Sequence, residues 1–261
     1  MSTVATMRLK AEVSGDGPPV LLVHGLGGSS NSFQTLMPAL GGYRCLRPDL
    51  PGAARSPLPH ERLTIAFLAR TIIETAQSLG ASPAHLVGHS MGTLVCLHVA
   101  ALAPEAVLSL TLFAPIFEPS DSMRQRLRDR AAVARGEGMC VVADAVVEAG
   151  LSPHTRAQTP LAAAFLRESH MRQTAEGFAQ SCEALAEAAG ADLRLVSRPA
   201  LLVTGDEDKV APPATVQAAA ERIKGARARV LDRCGHWTMI EKPVDCARLL
   251  GEFLRNADAS N

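Results

Sequence analysis

The chain is poor in aromatic residues: one tryptophan, one tyrosine and seven phenylalanines, 3% of 261 residues. A pocket built from it is expected to be walled by aliphatic and methionine side chains, which adapt to shape and fix few hydrogen bonds. A charge excess is missing too, because 26 basic residues balance 26 acidic ones. That removes the electrostatic footprint of a nucleic-acid binder or of a protein that docks on an anionic membrane surface, so a small neutral or mixed-charge ligand fits better. No apolar run approaches the roughly 18 to 20 residues needed to span a bilayer. None near the start has the basic flank and small-residue cleavage site of a signal peptide, and the expected location is the cytoplasm. The six cysteines, Cys45, Cys96, Cys140, Cys182, Cys234 and Cys246, show no Cys-x-x-Cys pairing. Buried free thiols are expected in place of a zinc or disulfide framework. No histidine or cysteine cluster has ligand spacing, so neither a metal nor a cofactor is implied. Internal repeats and low-complexity linkers are also missing, and nothing in the sequence sets an oligomeric state.

What the chain does have is apolar residue, 47% of its length, enough for a sizeable core. Short apolar runs alternate with longer helical patterns, the signature of a mostly parallel sheet flanked by helices. Val20 to Val23, Tyr43 to Pro48, His85 to Val87, Leu108 to Phe113, Ala200 to Thr204 and Ala228 to Leu231 read as its strands. An early antiparallel strand is expected around Met7 to Val13, joined to the first parallel one by the turn Ser14 to Pro19. Leu63 to Leu79 repeats apolar residues at helical spacing and stops at Gly80.

Between Ala114 and Pro199 lie about 80 residues without a convincing strand, far above the roughly 2 to 6 of an ordinary βα connection. Ser122 to Arg135, Met139 to Glu148, Pro160 to Met171 and Thr174 to Ala188 each read as a helix. Residues 116–198 are therefore expected to form a helical cap over a core of residues 1–115 and 199–261. Such a cap roofs the carboxyl edge of the sheet, where open α/β sheets bind ligands. Arg124, Arg126, Arg128 and Arg130, mixed with Asp121 and Asp129, read as a solvated helix face. The tail from Asn256 to Asn261 is expected to fray.

The most informative stretch is Gly88-His89-Ser90-Met91-Gly92, with an apolar strand before it and a helical pattern after it. A serine between two glycines at a strand-to-helix turn is held in a strained conformation with its hydroxyl exposed. An alcohol attacks slowly near neutral pH without a base, and His236, in Cys234-Gly235-His236-Trp237 just after the last strand, is the candidate. His89 should point sideways and His98 lies within the following helix. His60, His85, His154 and His170 fall on surface-like segments. An imidazole base needs an acid to fix its tautomer. Gly205-Asp206-Glu207-Asp208 places three carboxylates at the right strand end; Asp208 is assigned the role, with Asp206 expected to cap the turn and Glu118 a weaker alternative. His24-Gly25 opens the loop Leu26-Gly27-Gly28, and the Leu26 and Met91 N–H groups are the expected oxyanion donors.

These motifs, with Asp49-Leu50-Pro51-Gly52, resemble the α/β-hydrolase superfamily over nearly the whole chain. Within it, Gly136 to Pro153 and Gly177 to Leu185 look like 3-oxoadipate enol-lactonases and related small carboxylesterases. Members usually carry a second glycine where Ala54 stands, and lactonases often carry a cap tryptophan where this chain has Gly150. The resemblance implies a cofactor-independent serine hydrolase of a small carboxylic ester or lactone, working through an acyl-enzyme. A carbon–carbon bond hydrolase with the same Ser-His-Asp set is the nearest alternative. A non-catalytic ligand-binding module is the alternative from another class.

Overall fold

The structure, a computed structural model, describes residues 9–259. Its sheet has the strand order β1-β3-β2-β4-β5-β6-β7, with β1 Ala11–Ser14, β2 Pro19–Val23, β3 Arg44–Pro48, β4 Ala84–His89, β5 Val107–Phe113, β6 Ala200–Gly205 and β7 Arg227–Leu231. Only β1 runs antiparallel, pairing with β3 so that Ala11 faces Pro48; the other pairings are parallel. The antiparallel strand thus starts later than expected, and Met7 lies outside the described residues.

Alternation along the strands sorts the core onto two faces. Leu21, Val23, Leu86, Leu110 and Leu112 pack with Ile65, Leu68 and Ile72 of α1 (Ile65–Ser78) and Leu94 and Val95 of α2 (Met91–Leu102). Val20, Leu22, Val87, Phe113 and Val203 meet Phe33 and Leu36 of the 3₁₀ stretch Ser30–Leu40 and Leu250 and Leu254 near the C-terminus. Helix α1 starts where Thr64 accepts a hydrogen bond from the Phe67 N–H, and Gly80 follows its end at φ +62°.

Five helices, one more than expected, fill the stretch between β5 and β6: α3 Asp121–Glu137, α4 Met139–Gly150, α5 Pro153–Gln158, α6 Pro160–Met171 and α7 Ala175–Ala186. The extra one, α5, is a six-residue turn capped by Ser152, too short to leave a periodic signal. Leu127, Val142, Leu166 and Leu185 from this insertion belong to the same apolar cluster as the α1 face of the sheet. Gln173 ties it down further, donating to the Gly27 and Gly28 carbonyls and accepting from the Ala54 N–H.

Helix α8 Pro213–Arg222 lies between β6 and β7, and α9 Thr238–Glu241 and α10 Pro243–Asp258 follow β7. The tail does not fray over Asn256 to Asp258: α10 continues to Asp258, Ala257 is buried, and the Asp258 carboxylate accepts from Tyr43 at 2.6 Å and from His85 at 2.9 Å. His85 is accordingly fully buried at the start of β4 and not on the surface. Five cysteines are buried free thiols as expected; Cys140 is exposed. No helix among the described residues is long and apolar enough to cross a membrane.

Candidate active site

Ser90 stands between β4 and α2 at φ +51° and ψ −122°. A non-glycine residue held there stores about 1 to 3 kcal/mol, so the surroundings must enforce it. They do: the Ser90 N–H is held by the Phe113 carbonyl at 3.0 Å. A Cβ at Gly92 would lie 2.0 Å from the Val23 carbonyl oxygen, and one at Gly88 2.8 Å from the Thr93 Cα. Any side chain at either position would push the turn off the sheet.

His236 Nε2 lies 2.8 Å from Ser90 Oγ, and its Nδ1 lies 2.9 Å from Asp208 Oδ2. With Nδ1–H donated to Asp208, Nε2 is left to accept the serine proton. Asp208 is 3% exposed, and its second oxygen accepts from the Val210 and Ala211 N–H groups at 2.8 and 2.9 Å. Burial pushes its pKa up, but His236 and the two backbone donors outweigh burial and hold it below the usual carboxylate value. Asp206 instead accepts from the Cys234 N–H at 3.0 Å and closes the loop; Glu207 and Glu118 are exposed. Of the four carboxylates weighed, Asp208 is the one in contact with the imidazole.

Met91 follows Ser90 in the chain and Leu26 lines the same cavity as Ser90, and neither N–H has a hydrogen-bond partner among the described residues. Leu26 sits in a loop braced by His24, whose Nδ1–H donates to the Gly25 carbonyl at 2.8 Å while Nε2 accepts from Leu50 N–H at 2.9 Å. A Cβ on Gly25 would come within 2.9 Å of the Ser90 Cβ, so the loop reaches the serine only as glycine. His89 does point sideways: it donates Nε2–H to the His236 carbonyl at 3.0 Å, is fully buried, and burial pulls its pKa down to about 3.

A cavity of about 90 Å³ opens onto Ser90 and His236. That is well below the roughly 300 to 1,000 Å³ of a drug-sized ligand site. Ile116, Leu127, Val146 and Leu185 supply the expected aliphatic wall, but His170, Trp237, Arg126 and Arg130 share it. The solvated-face reading of the four arginines holds for exposed Arg126 and Arg128 and less well for half-buried Arg124 and Arg130. Arg126 and Arg130, one helical turn apart, also line the mouth of the pocket, whereas Arg124 donates to the Ala186 carbonyl.

Residues 18–137 match the family described as alpha/beta hydrolase fold. A thermophilic esterase from Thermogutta terrifontis with malate bound is 26% identical, covers 98% of this chain and 96% of its own, and superposes at a TM-score of 0.92. The chain has the α/β-hydrolase fold. It is also similar to the enol-lactonase of Burkholderia xenovorans LB400, at 28% identity, 97% and 99% coverage and a TM-score of 0.88. The dihydrolipoyllysine-residue acetyltransferase component of the acetoin cleaving system of Pseudomonas putida is 31% identical over 94% of the chain, which spans 65% of that relative's length.

The two departures of this chain from its relatives have structural answers. Ala54 takes φ +48°, the left-handed conformation that glycine adopts freely, and its N–H is held by Gln173. A Cβ at Gly150 would lie 3.2 Å from the Trp237 indole, so the aromatic missing from the cap is supplied by the loop that carries His236. His170, read from sequence as a surface residue, is 1% exposed and edge-on to that indole. Sequence reasoning misses Glu241, whose carboxylate accepts from the Ser152, Gly235 and Trp237 N–H groups and the Thr155 hydroxyl. Three of these four donors are backbone groups, which every residue but proline has, so no spacing of special side chains announces it.

Proposed function

We propose that this protein is a serine hydrolase of small carboxylic esters or lactones. The observation that carries the reading is the continuous chain from Asp208 through His236 to Ser90 at 2.9 and 2.8 Å, opening on a cavity. Ser90 Oγ attacks the carbonyl carbon as its proton passes to His236 Nε2. The oxyanion is received by the Leu26 and Met91 N–H groups, each worth on the order of 10² to 10³ in kcat by analogy with other such donors. Collapse breaks the carbon–oxygen bond, and His236 returns the proton to the departing alkoxide. Water then attacks the acyl-Ser90 ester, giving its proton to His236, and the acid leaves as Ser90 is regenerated.

Arg126 and Arg130 at the cavity wall, with no ion-pair partner among the described residues, favour a substrate bearing a carboxylate. Malate, the ligand of the T. terrifontis esterase, is a dicarboxylate. The test is labelling with a fluorophosphonate followed by a panel of p-nitrophenyl esters and lactones. Ser90→Ala should lose both labelling and turnover while remaining folded. Label retained on another serine would overturn the assignment.

A further inference from the structure

The loop that carries His236 presents three consecutive N–H groups, and all three are taken. Gly235 N–H donates to Glu241 Oε2 at 3.1 Å, His236 N–H to the Gly150 carbonyl at 2.8 Å, and Trp237 N–H to Glu241 Oε1 at 3.2 Å. The same carboxylate reaches into the insertion: Ser152 N–H and the Thr155 hydroxyl donate to Oε2 at 2.8 and 2.9 Å. Glu241 therefore accepts two bonds from the loop and two from the α4–α5 corner. Three of these donors, Ser152 N–H, Gly235 N–H and the Thr155 hydroxyl, converge on Oε2, and Trp237 N–H takes Oε1, so both oxygens are engaged as acceptors. A carboxamide would present an NH₂ group where one oxygen stood, against an N–H that also needs an acceptor. The approach is tight as well, since a Cβ on Gly235 would lie 2.6 Å from the Gly150 carbonyl oxygen and 2.9 Å from Glu241 Oε1.

We infer that Glu241 is a positioning residue that couples the seating of the α4–α5 corner to the placement of His236; this rests on the reading of Ser90 and His236 as the reacting pair. If the corner lifts, the Gly150, Ser152 and Thr155 contacts break together. His236 then loses the acceptor of its own N–H, and Gly235 and Trp237 keep a carboxylate with half its partners gone. The imidazole is useful only within hydrogen-bond reach of Ser90, and a displacement of about 1 Å costs about 10²-fold in rate. Seating of the insertion and readiness of the base are thus one event.

The experiment compares wild type, Glu241→Gln and Thr155→Val as full chains. Four quantities are read: thermal unfolding, kcat and KM on p-nitrophenyl acetate, the rate constant of fluorophosphonate labelling, and the downfield proton resonance of the His236 Nδ1–H bonded to Asp208. Glu241→Gln should lower kcat and labelling by about 10²-fold, change KM little, and broaden or shift the resonance. Thr155→Val removes the donor to Glu241 and the acceptor of the Ser152 hydroxyl, with no loop N–H touched, yet should also lower kcat several-fold and perturb the resonance. A Glu241→Gln protein that melts earlier but keeps the wild-type kcat per folded molecule and an unchanged resonance would overturn the inference. If Glu241→Gln does not fold, Thr155→Val decides by the same criteria. The resonance needs no substrate, so an error in the proposed reaction would appear as absent labelling in wild type with the positioning effect intact.

Discussion

Two ends of β4 carry the same three side chains at nearly the same distances. At the carboxyl end, Asp208, His236 and Ser90 are linked at 2.9 and 2.8 Å; at the amino end, Asp258, His85 and Ser109 are linked at 2.9 and 2.8 Å. The second set does not line the cavity at Ser90. Ser109 is fully buried in β5, next to the register shift between Ala84 and His85, and it is the Asp258 side chain, 36% exposed, that meets solvent. At the first set the order is reversed: Asp208 is sealed, and Ser90 stands on a strained turn beside two unpaired N–H groups and a pocket. A serine, a histidine and an aspartate in contact do not by themselves make a reactive site. A cavity and free backbone N–H groups beside the serine separate the two, and on the proposed function these give access to a carbonyl and donors for its developing charge.

The comparison is broken most sharply by removing each serine. Ser90→Ala should lower kcat by about 10⁶-fold, the scale of nucleophile removal in another serine hydrolase. Ser109→Ala should leave kcat within about twofold. It strands the His85 Nδ1 lone pair in the core, which costs about 1 to 3 kcal/mol of stability. Parallel measurements of ester turnover and urea unfolding check both, and a large loss of turnover in Ser109→Ala would show that the buried set also takes part in the reaction.

Replacing the acids sharpens the contrast next. Asp208→Asn should lower kcat by on the order of 10⁴-fold, because the amide no longer holds His236 in the tautomer that accepts from Ser90. Asp258→Asn should alter only stability, by about 1 kcal/mol, since it loosens the latch of α10 onto Tyr43 and His85. Asp206→Asn falls with the second group, as its carboxylate serves the Cys234 N–H.

The two sets were not equally legible in the sequence. The Ser90 turn is written in residue types, because Gly25, Gly88 and Gly92 stand where any Cβ would strike the backbone or side-chain atoms around Ser90. His236 and Asp208 follow from their place after strands. The His85 set has no such constraint: it depends on α10 docking across the sheet, which a local pattern does not encode, and His85 reads as a surface residue for that reason. The same holds for His170, buried by contact with a tryptophan 67 positions away. For Arg126 and Arg130, helical spacing shows that they share a face but not which way that face is turned.

That face distinguishes the Ser90 set from its buried counterpart in a further way, by offering charge to a ligand. Arg126→Ala with Arg130→Ala should raise KM for a carboxylate-bearing ester by about 10-fold or more, the scale of a charge-assisted hydrogen bond. KM for the uncharged ester of similar size should barely change. Equal effects on both esters would return the arginines to a packing role.

The smallest expected effect separates the two histidines by pH. His24, His85, His89 and His170 are buried, and burial is the first cause lowering the pKa of each below 6.5, to about 4 for His170; hydrogen-bond partners and Asp258 oppose it. A histidine with a depressed folded pKa leaves the unfolded chain binding the extra proton. Its contribution is complete above pH 6.5 and is lost as pH falls from there toward the folded value. Asp49 and Asp208, also lowered, keep their contributions through that window and lose them only below about 3.8. Each titrating histidine withdraws up to about 1.4 kcal/mol per pH unit, or about 3 to 6 °C in Tm for a chain of this size. Tm should therefore fall between pH 6.5 and 4, and His85→Gln should flatten that slope by one histidine's share. Because His85 touches Ser109 and Asp258 and not the pocket, the acid limb of kcat/KM should stay in place in the same variant. If the acid limb moved with the Tm slope, the two ends of β4 would be electrostatically coupled, and the buried set would be tuning the reactive one.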